Sequence, residues 1–376
     1  MRIVLIGPSY PFRGGIAHYT TLLYRHLRKR HQVRFLSLRR QYPRWLYPGE
    51  SDRDRSEFAI QEPGTENILD PSNPLTWLQV VQRARDFQPD LVILPWWVSF
   101  WAPSYSTIVP LTRWGTETRV IYLCHNVTPH ESKKYDRWLT WWPLRQGDAF
   151  IVHSAQALEN LRKLLPKALV RRTFHPTYDV FKRYDLDVAE ARRQLGVKGD
   201  MLLFFGFVRA YKGLHYLIEA MPQVVARRDV SLWIVGEFWQ DSAQYRAQIE
   251  ALDLDGRVQI VDEYVSNEEV GLYFSAADAV ILPYISGTGS GIAQIAFGYE
   301  RPIVATTVGD LPEIVDPDET GYIVPPADPD ALAQAILAIY DRPASQWQAN
   351  IRAHRDRFSW ERLIDCIEAL ASEVDR

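Results

Sequence analysis

The residues best suited to chemistry fall in four short stretches. "GFVRAYKG" (206–213) places Arg209 and Lys212 between a very apolar run and a glycine. Two fixed cations beside a helix N-terminus form an anion site. "SGTGSGIAQ" (286–294) has Gly287, Gly289 and Gly291 freeing the backbone, with Ser290 placed to cap the helix that follows. Successive N–H groups in such a turn cradle phosphate. "GGIAHYT" (14–20) opens another helix with Gly14 and Gly15, whose missing side chains let a ligand touch the helix end. "CHNVTPHE" (124–131) sets His125 at a strand end, with His130 and Glu131 in the loop beyond. A lone His is more often structural than functional, and a position at a strand end facing a cleft brings the two readings level. The histidines lack metal-ligand spacing, and no serine or cysteine nucleophile signature appears.

These stretches need strands and helices to hold them. Apolar runs at 2–6, 33–38, 91–94, 120–123 and 150–152 read as strands, with helical patterns such as "PLTWLQVVQRARDF" and "AQALENLRKLL" between or after them. The alternation begins again at 201–205, 231–235, 258–261, 279–282, 303–305 and 322–324. Repeated β and α of this length implies parallel sheets covered on both faces. With 376 residues, the chain suits two doubly wound, Rossmann-like α/β domains. The expected division is a first domain over 1–175, a polar linker or hinge over 176–198, a second domain over 199–357, and a closing amphipathic helix over 358–376. Ligands bind at the C-terminal ends of strands in such sheets. Two sheets side by side would then form a cleft that the four stretches line.

Composition narrows the class. Apolar content of 47% and charged content of 24% are those of a soluble globular chain. A net charge of -3 gives no general pull toward nucleic acid. Basic residues do gather in "YRHLRKRHQVRF" and "LRRQYPRW", with Tyr42, Trp45, Leu46 and Tyr47 interleaved. A solvated surface is the plain reading, and a peripheral membrane patch is the alternative. Cys124 and Cys366 lie far apart without ligand spacing, so free thiols and a cytoplasmic, reducing compartment are expected. The opening apolar run stops at residue 6 before Gly and Pro, which suits a strand rather than a signal peptide. Residues 91–111 are long enough to span a membrane, but Pro95, Pro103 and Pro110 interrupt them.

Together with "DEYVSNEEVGLYFSAADAVILPY", "RPIVATTVGDLPEIV" and "TGYIVPP", these stretches resemble the family 4, GT-B glycosyltransferases, retaining enzymes with nucleotide-sugar donors. The resemblance covers nearly the whole length and rests on the order and spacing of the motifs. It implies a hexosyltransferase using a GDP- or UDP-sugar, without a metal or other cofactor, and acting on a glycan or lipid-linked acceptor. Carried onto this sequence, it places His125, Arg209 and Lys212 in the catalytic machinery. Gly14, Gly15, Arg209, Lys212 and the backbone of Gly289, Ser290, Gly291 and Ile292 would hold the donor diphosphate. Glu263, Tyr264, Val265 and Gln294 would hold the nucleoside. Tyr10 and His130 would stand on the acceptor side. Trp96, Trp97 and Trp101 cluster at a strand end, where core packing is the first reading and an acceptor wall formed by Trp96 and Trp97 is the functional alternative. The last helix would cross back to the first domain.

Two positions depart from the family pattern. Its paired glutamates around the glycine-rich turn correspond to Ser286 and Gln294, or one residue later to Gly287 and Ile295. Neither register carries a carboxylate. The arginine that commonly follows the strand glycine is Phe207 here, leaving Arg209 to reach from two residues later. The Asp52-x-Asp54 pattern in "SDRD" lies in a charged run with no strand before it, so a metal-dependent sugar transferase is disfavoured. Two other readings stay open: an epimerase or hydrolase acting on nucleotide sugars, and a catalytically silent scaffold of the same fold.

Overall fold

A computed structural model describes residues 1–42, 51–127, 134–184, 186–239 and 241–374. The chain divides into two compact units. Unit 1 comprises Met1–Arg55, Ala59–Phe174 and Ser359–Arg376, and unit 2 comprises Ser56–Phe58 and His175–Phe358.

Unit 1 is built on strands β1 (Arg2–Ile6), β2 (Gln32–Leu38), β3 (Thr65–Leu69), β4 (Leu91–Trp96), β5 (Arg119–Cys124), β6 (Ala149–Val152) and β7 (Leu169–Arg172). They pair in parallel in the order β3-β2-β1-β4-β5-β6-β7. The order reverses between β1 and β4, and loops beyond such a switch point are where ligands enter doubly wound sheets. β4 is buried along its whole length. Its unbroken apolar run is what a strand covered on both faces requires. The segment considered as a membrane span is β4, a short 3-10 turn at Ser99–Trp101 and a helix over Ala102–Arg113. No described helix is long and apolar enough to cross a membrane.

The helix Trp360–Glu373, capped by the Ser359 hydroxyl, belongs to unit 1. Its Trp360 ring stacks on His26 and lies 5.3 Å from the Tyr19 ring. Arg119 Nη1 donates to the Ala371 carbonyl at 2.7 Å, and Arg30 pairs with Asp365 at 2.6 Å.

Unit 2 carries β8 (Asp200–Phe205), β9 (Val230–Val235), β10 (Val258–Val261), β11 (Ala279–Leu282), β12 (Ile303–Thr306) and β13 (Gly321–Val324). Their parallel order is β10-β9-β8-β11-β12-β13, with its switch point between β8 and β11. The stretches 206–213 and 286–294 follow those two strands. The core around them is aliphatic and aromatic, including Leu202, Phe204, Ile281 and Val304.

Three features differ from the sequence reading. The expected linker, 176–198, folds as part of unit 2. It contains a 3-10 segment at Asp179–Tyr184 and a helix over Val188–Leu195, capped by the Asp187 side chain and ended by Gly196 at φ 69°. Arg192 anchors that helix through Asp278 at 2.7 Å and the Ala276 carbonyl at 3.0 Å. The polar composition is that of a helix with one face in solvent. Strands β3 and β7 are additional. Both are sheet edges with mostly half-exposed residues, so neither shows a clear apolar run.

Candidate functional site

The site in unit 2 is assembled by two loops tied through their backbones. The Ile285 N–H donates to the Tyr211 carbonyl at 2.9 Å. This brings the loop after β8 against the loop after β11. Gly206 ends β8 at φ +94°, a conformation in which a side chain is strained. A Cβ there would stand 3.2 Å from Lys212 Nζ and 3.3 Å from Ile292 Cδ1. The Lys212 ammonium therefore lies over Gly206 and close to the start of the helix Gly291–Gly298. Gly213, at φ +66°, fits where a Cβ would meet the Pro283 carbonyl oxygen at 2.0 Å. Only glycine allows this approach between the two loops.

Lys212 is 6% exposed. Among the described residues, no carboxylate pairs with it or with Arg209. Burial, and then the neighbouring Arg209 guanidinium, lower its pKa to about 7. Arg209 is half-exposed, with its guanidinium 5.3 Å from the centres of both the Tyr211 and Trp239 rings. Lys212, buried and without a carboxylate partner among the described residues, lies near Arg209, so the loop after β8 gathers positive charge. A bound anion would relieve the cost of burying Lys212.

The glycine-rich turn lies beside them. Gly289 is exposed and Gly291 and Ile292 are half-exposed. Ser290 is buried, its hydroxyl 3.0 Å from the Tyr284 hydroxyl. The first N–H groups of a helix have no partner within it and are free to bind an anion. Three residues on, Gln294 is fully buried, and neither atom of its side-chain amide has a hydrogen-bond partner. Phe207 packs 4.7 Å from Trp239 and 6.2 Å from Tyr264 between ring centres, making a half-exposed aromatic row. Glu263 is exposed at the end of that row. The Val265 side chain is buried, so that residue can offer a nucleoside only its backbone.

In unit 1, Gly14 precedes the helix Gly15–Leu27 at φ +103°, with nothing within 4 Å of the place its Cβ would take. Tyr10 is half-buried, and its carbonyl accepts from Ser9 Oγ at 3.0 Å. His125 is half-buried beyond β5 and meets the Tyr19 ring edge to face at 4.5 Å. Tyr19 also contacts His153, which stands just beyond β6. The His153 Nδ1–H donates to the Thr173 carbonyl at 2.9 Å, leaving Nε2 to accept from the Tyr19 hydroxyl at 3.1 Å. Burial lowers the His153 pKa to about 4. The sequence signal for His153, a His one residue beyond an apolar strand, is the same one that marks His125.

Some expectations need correction. For Trp96 the packing reading holds: it is 1% exposed in the unit 1 core, because β4 is covered on both faces, and only the acceptor-wall alternative falls away. Trp97 is half-buried and donates its indole N–H to the Tyr42 hydroxyl at 2.9 Å. His130, Glu131, Trp45, Leu46 and Tyr47 lie outside the described residues. Asp54 is buried, 3.9 Å from His18 Nε2. No group of three His, Cys, Asp or Glu side chains suited to a metal occurs among the described residues. Both cysteines are free.

A model of glycosyltransferase family 4 matches residues 13–172, and a model of the group 1 glycosyl transferases matches residues 199–342. Together these matches take in most of the chain. The chain belongs to the group 1, family 4 glycosyltransferases. An uncharacterized glycosyltransferase of Methanocaldococcus jannaschii is 32% identical over 42% of this chain and 39% of its own length. A D-inositol 3-phosphate glycosyltransferase of Catenulispora acidiphila is 29% identical over 60% of this chain and 57% of its own. The chain thus spans about half the length of the curated relatives it matches. Anabaena HepE, solved in complex with UDP and glucose, has the same fold. Its TM-score is 0.75 at 18% identity, over 99% of both chains. The fold is GT-B, with a Rossmann-like sheet in each unit.

Proposed function

We propose that the chain transfers a hexosyl group from a UDP- or GDP-sugar to a glycan or lipid-linked acceptor, with retention at the anomeric carbon and without a metal. The observation that carries this reading is Lys212, a buried ammonium with no carboxylate partner among the described residues, set over Gly206 and against the start of the helix Gly291–Gly298. A departing diphosphate develops negative charge, and fixed cations with bare amides stabilise it without reorganising. Arg209 and the backbone of Gly289–Ile292 complete the diphosphate site of unit 2. Gln294 is fully buried, so its unpartnered amide, both donor and acceptor, meets a ribose hydroxyl only where ligand binding opens the turn.

No carboxylate base is needed in the glycine-rich turn. The sugar–phosphate bond breaks as the acceptor oxygen bonds to the same face of the anomeric carbon. The acceptor proton passes to the leaving phosphate oxygen. The protein contributes position and charge. His125 is the residue of unit 1 proposed to contact the donor sugar. The aromatic row Phe207–Trp239–Tyr264 is suited to stacking a base.

A lipid-linked acceptor fits a further feature of unit 1. On the helix Lys134–Leu144, exposed Trp138 stacks on Trp142, and the Arg145 guanidinium lies 4.4 Å from the centre of the Trp141 ring. Tryptophan and arginine on one helix face suit a headgroup layer. Placement at a membrane face follows from that reading.

The test is a thermal-shift panel of nucleoside diphosphates and nucleotide sugars, beginning with UDP and GDP, followed by sugar transfer assayed with and without a chelator. One diphosphate should stabilise the protein preferentially. Arg209→Ala should lower turnover by about a hundredfold. Absence of any diphosphate binding would favour the silent scaffold. Acceptor-independent release of free sugar, or of an epimer, would favour the hydrolase or epimerase.

A further inference from the structure

The glycine-rich turn has no acid in its own sequence, but the fold supplies one from behind. Asp310 follows β12, and its backbone N–H donates to the Thr288 carbonyl at 3.1 Å. A Cβ on Gly289 would stand 2.6 Å from Asp310 Oδ2. The carboxyl group therefore occupies the space behind that glycine. It accepts the Ser290 N–H, at the N-terminus of the helix Gly291–Gly298. Asp310 is 5% exposed, and its Oδ1 has no hydrogen-bond partner.

A carboxylate thus already sits among the amides that a diphosphate would use. Two anions sharing one buried site do not both stay ionised. The groups facing Asp310 do not neutralise it. Glu313, from the short helix Leu311–Ile314, has the same charge. Tyr284, beyond β11, is a neutral phenol held to Ser290. The Lys212 ammonium lies on that phenol ring, 5.7 Å from its centre.

We propose that Asp310 carries a proton whenever a nucleoside diphosphate is bound, so that binding takes up a proton at this residue and turns a competing anion into a hydrogen-bond donor. This rests on the diphosphate reading of the turn. Burial and Glu313 raise the Asp310 pKa to about 8 in the empty site, so near pH 7 the acid mostly holds its proton already, and uptake on binding is expected above about pH 8. The unpartnered Oδ1 is the atom available to hold the proton.

The experiment is calorimetric titration of the full chain with UDP and with GDP, in buffers of differing ionisation enthalpy, between pH 7 and 9. The second phosphate ionisation, near pH 6, is then complete. Lys212 also takes up protons in this range, so the wild type is compared with Asp310→Asn, which mimics the protonated acid. Asp310→Asn should lower proton uptake by more than half a proton at about pH 8.5. Between pH 7 and 9 the wild type should lose about tenfold more affinity than the variant. Binding with equal uptake and equal pH dependence in both proteins overturns the role of Asp310 alone. Binding of neither nucleotide overturns the diphosphate reading, and this inference with it. If Asp310→Asn does not fold, carboxyl-carbon NMR of aspartate-labelled wild type decides. One carboxyl should stay protonated in the saturated complex at about pH 8.5, and full ionisation of all of them overturns the proposal.

Discussion

Replacing Lys212 by Met should make the empty protein more stable while weakening its hold on diphosphate. Met keeps most of the side-chain length and removes the buried charge, which lies 6.0 Å from the Phe204 ring centre and 5.7 Å from that of Tyr284. The Lys212 pKa falls from 10.5 to about 7 on folding. The unfolded chain therefore holds more protons between those two pH values, and Lys212 lowers stability there. Its penalty is absent above pH 10.5, grows as pH falls toward 7, and stays constant below that. At about 1.36 kcal/mol per pH unit, the ceiling is about 5 kcal/mol. Relaxation around a residue at a loop should leave a measured gain of about 1–3 kcal/mol. Urea unfolding of both proteins at several pH values reads this directly, and the difference should shrink as pH rises above 7. Loss of a charge-assisted hydrogen bond to the diphosphate, about 1.5–3 kcal/mol, should weaken UDP or GDP binding at least tenfold. A variant less stable than wild type at pH 7, with unchanged nucleotide affinity, would refute the reasoning. Lys212 would then be a packing residue.

Gly213→Ala should cost more than about 3 kcal/mol in urea unfolding, because its Cβ would meet the Pro283 oxygen at 2.0 Å. Gly196→Ala has a similar φ but open space, and should cost only about 1–2 kcal/mol. Neutral His153 binds protons less readily than in the unfolded chain, whose value is 6.5. Its contribution is therefore full above pH 6.5 and lost as pH falls toward 4, and His153→Gln should flatten that part of the acid-unfolding curve. The double variant Trp138→Ala, Trp142→Ala should lose co-sedimentation with anionic phosphatidylglycerol vesicles and keep nucleotide binding, and undiminished vesicle binding would exclude that helix as the contact.

The parts legible in the sequence were those where one local signal suffices. Fully buried strands such as β4 and β11 announce themselves as apolar runs, because covered parallel strands need nothing else. Gly206, Lys212 and the glycine-rich turn could be placed at strand ends for the same reason. Edge strands β3 and β7 carry polar residues in half-solvated positions and gave no such run. Asp310 lies within "RPIVATTVGDLPEIV", where nothing local marks it. Its meaning comes from the pairing of β11 with β12, which sets the loops beyond them side by side. No spacing along the chain encodes that proximity. Trp96 shows the converse: an aromatic at a strand end invites a binding role, and only the coverage of both sheet faces reveals it as core.

The helix Trp360–Glu373 has a consequence for biosynthesis. Unit 1 draws on residues to either side of the stretch that supplies nearly all of unit 2. While the ribosome is still working, Tyr19 and Arg119 lack the late-emerging partners Trp360 and Ala371. Unit 2 can finish first, although it begins later. A nonsense codon just before Ser359 would leave the later-starting unit intact and the earlier one permanently unfinished.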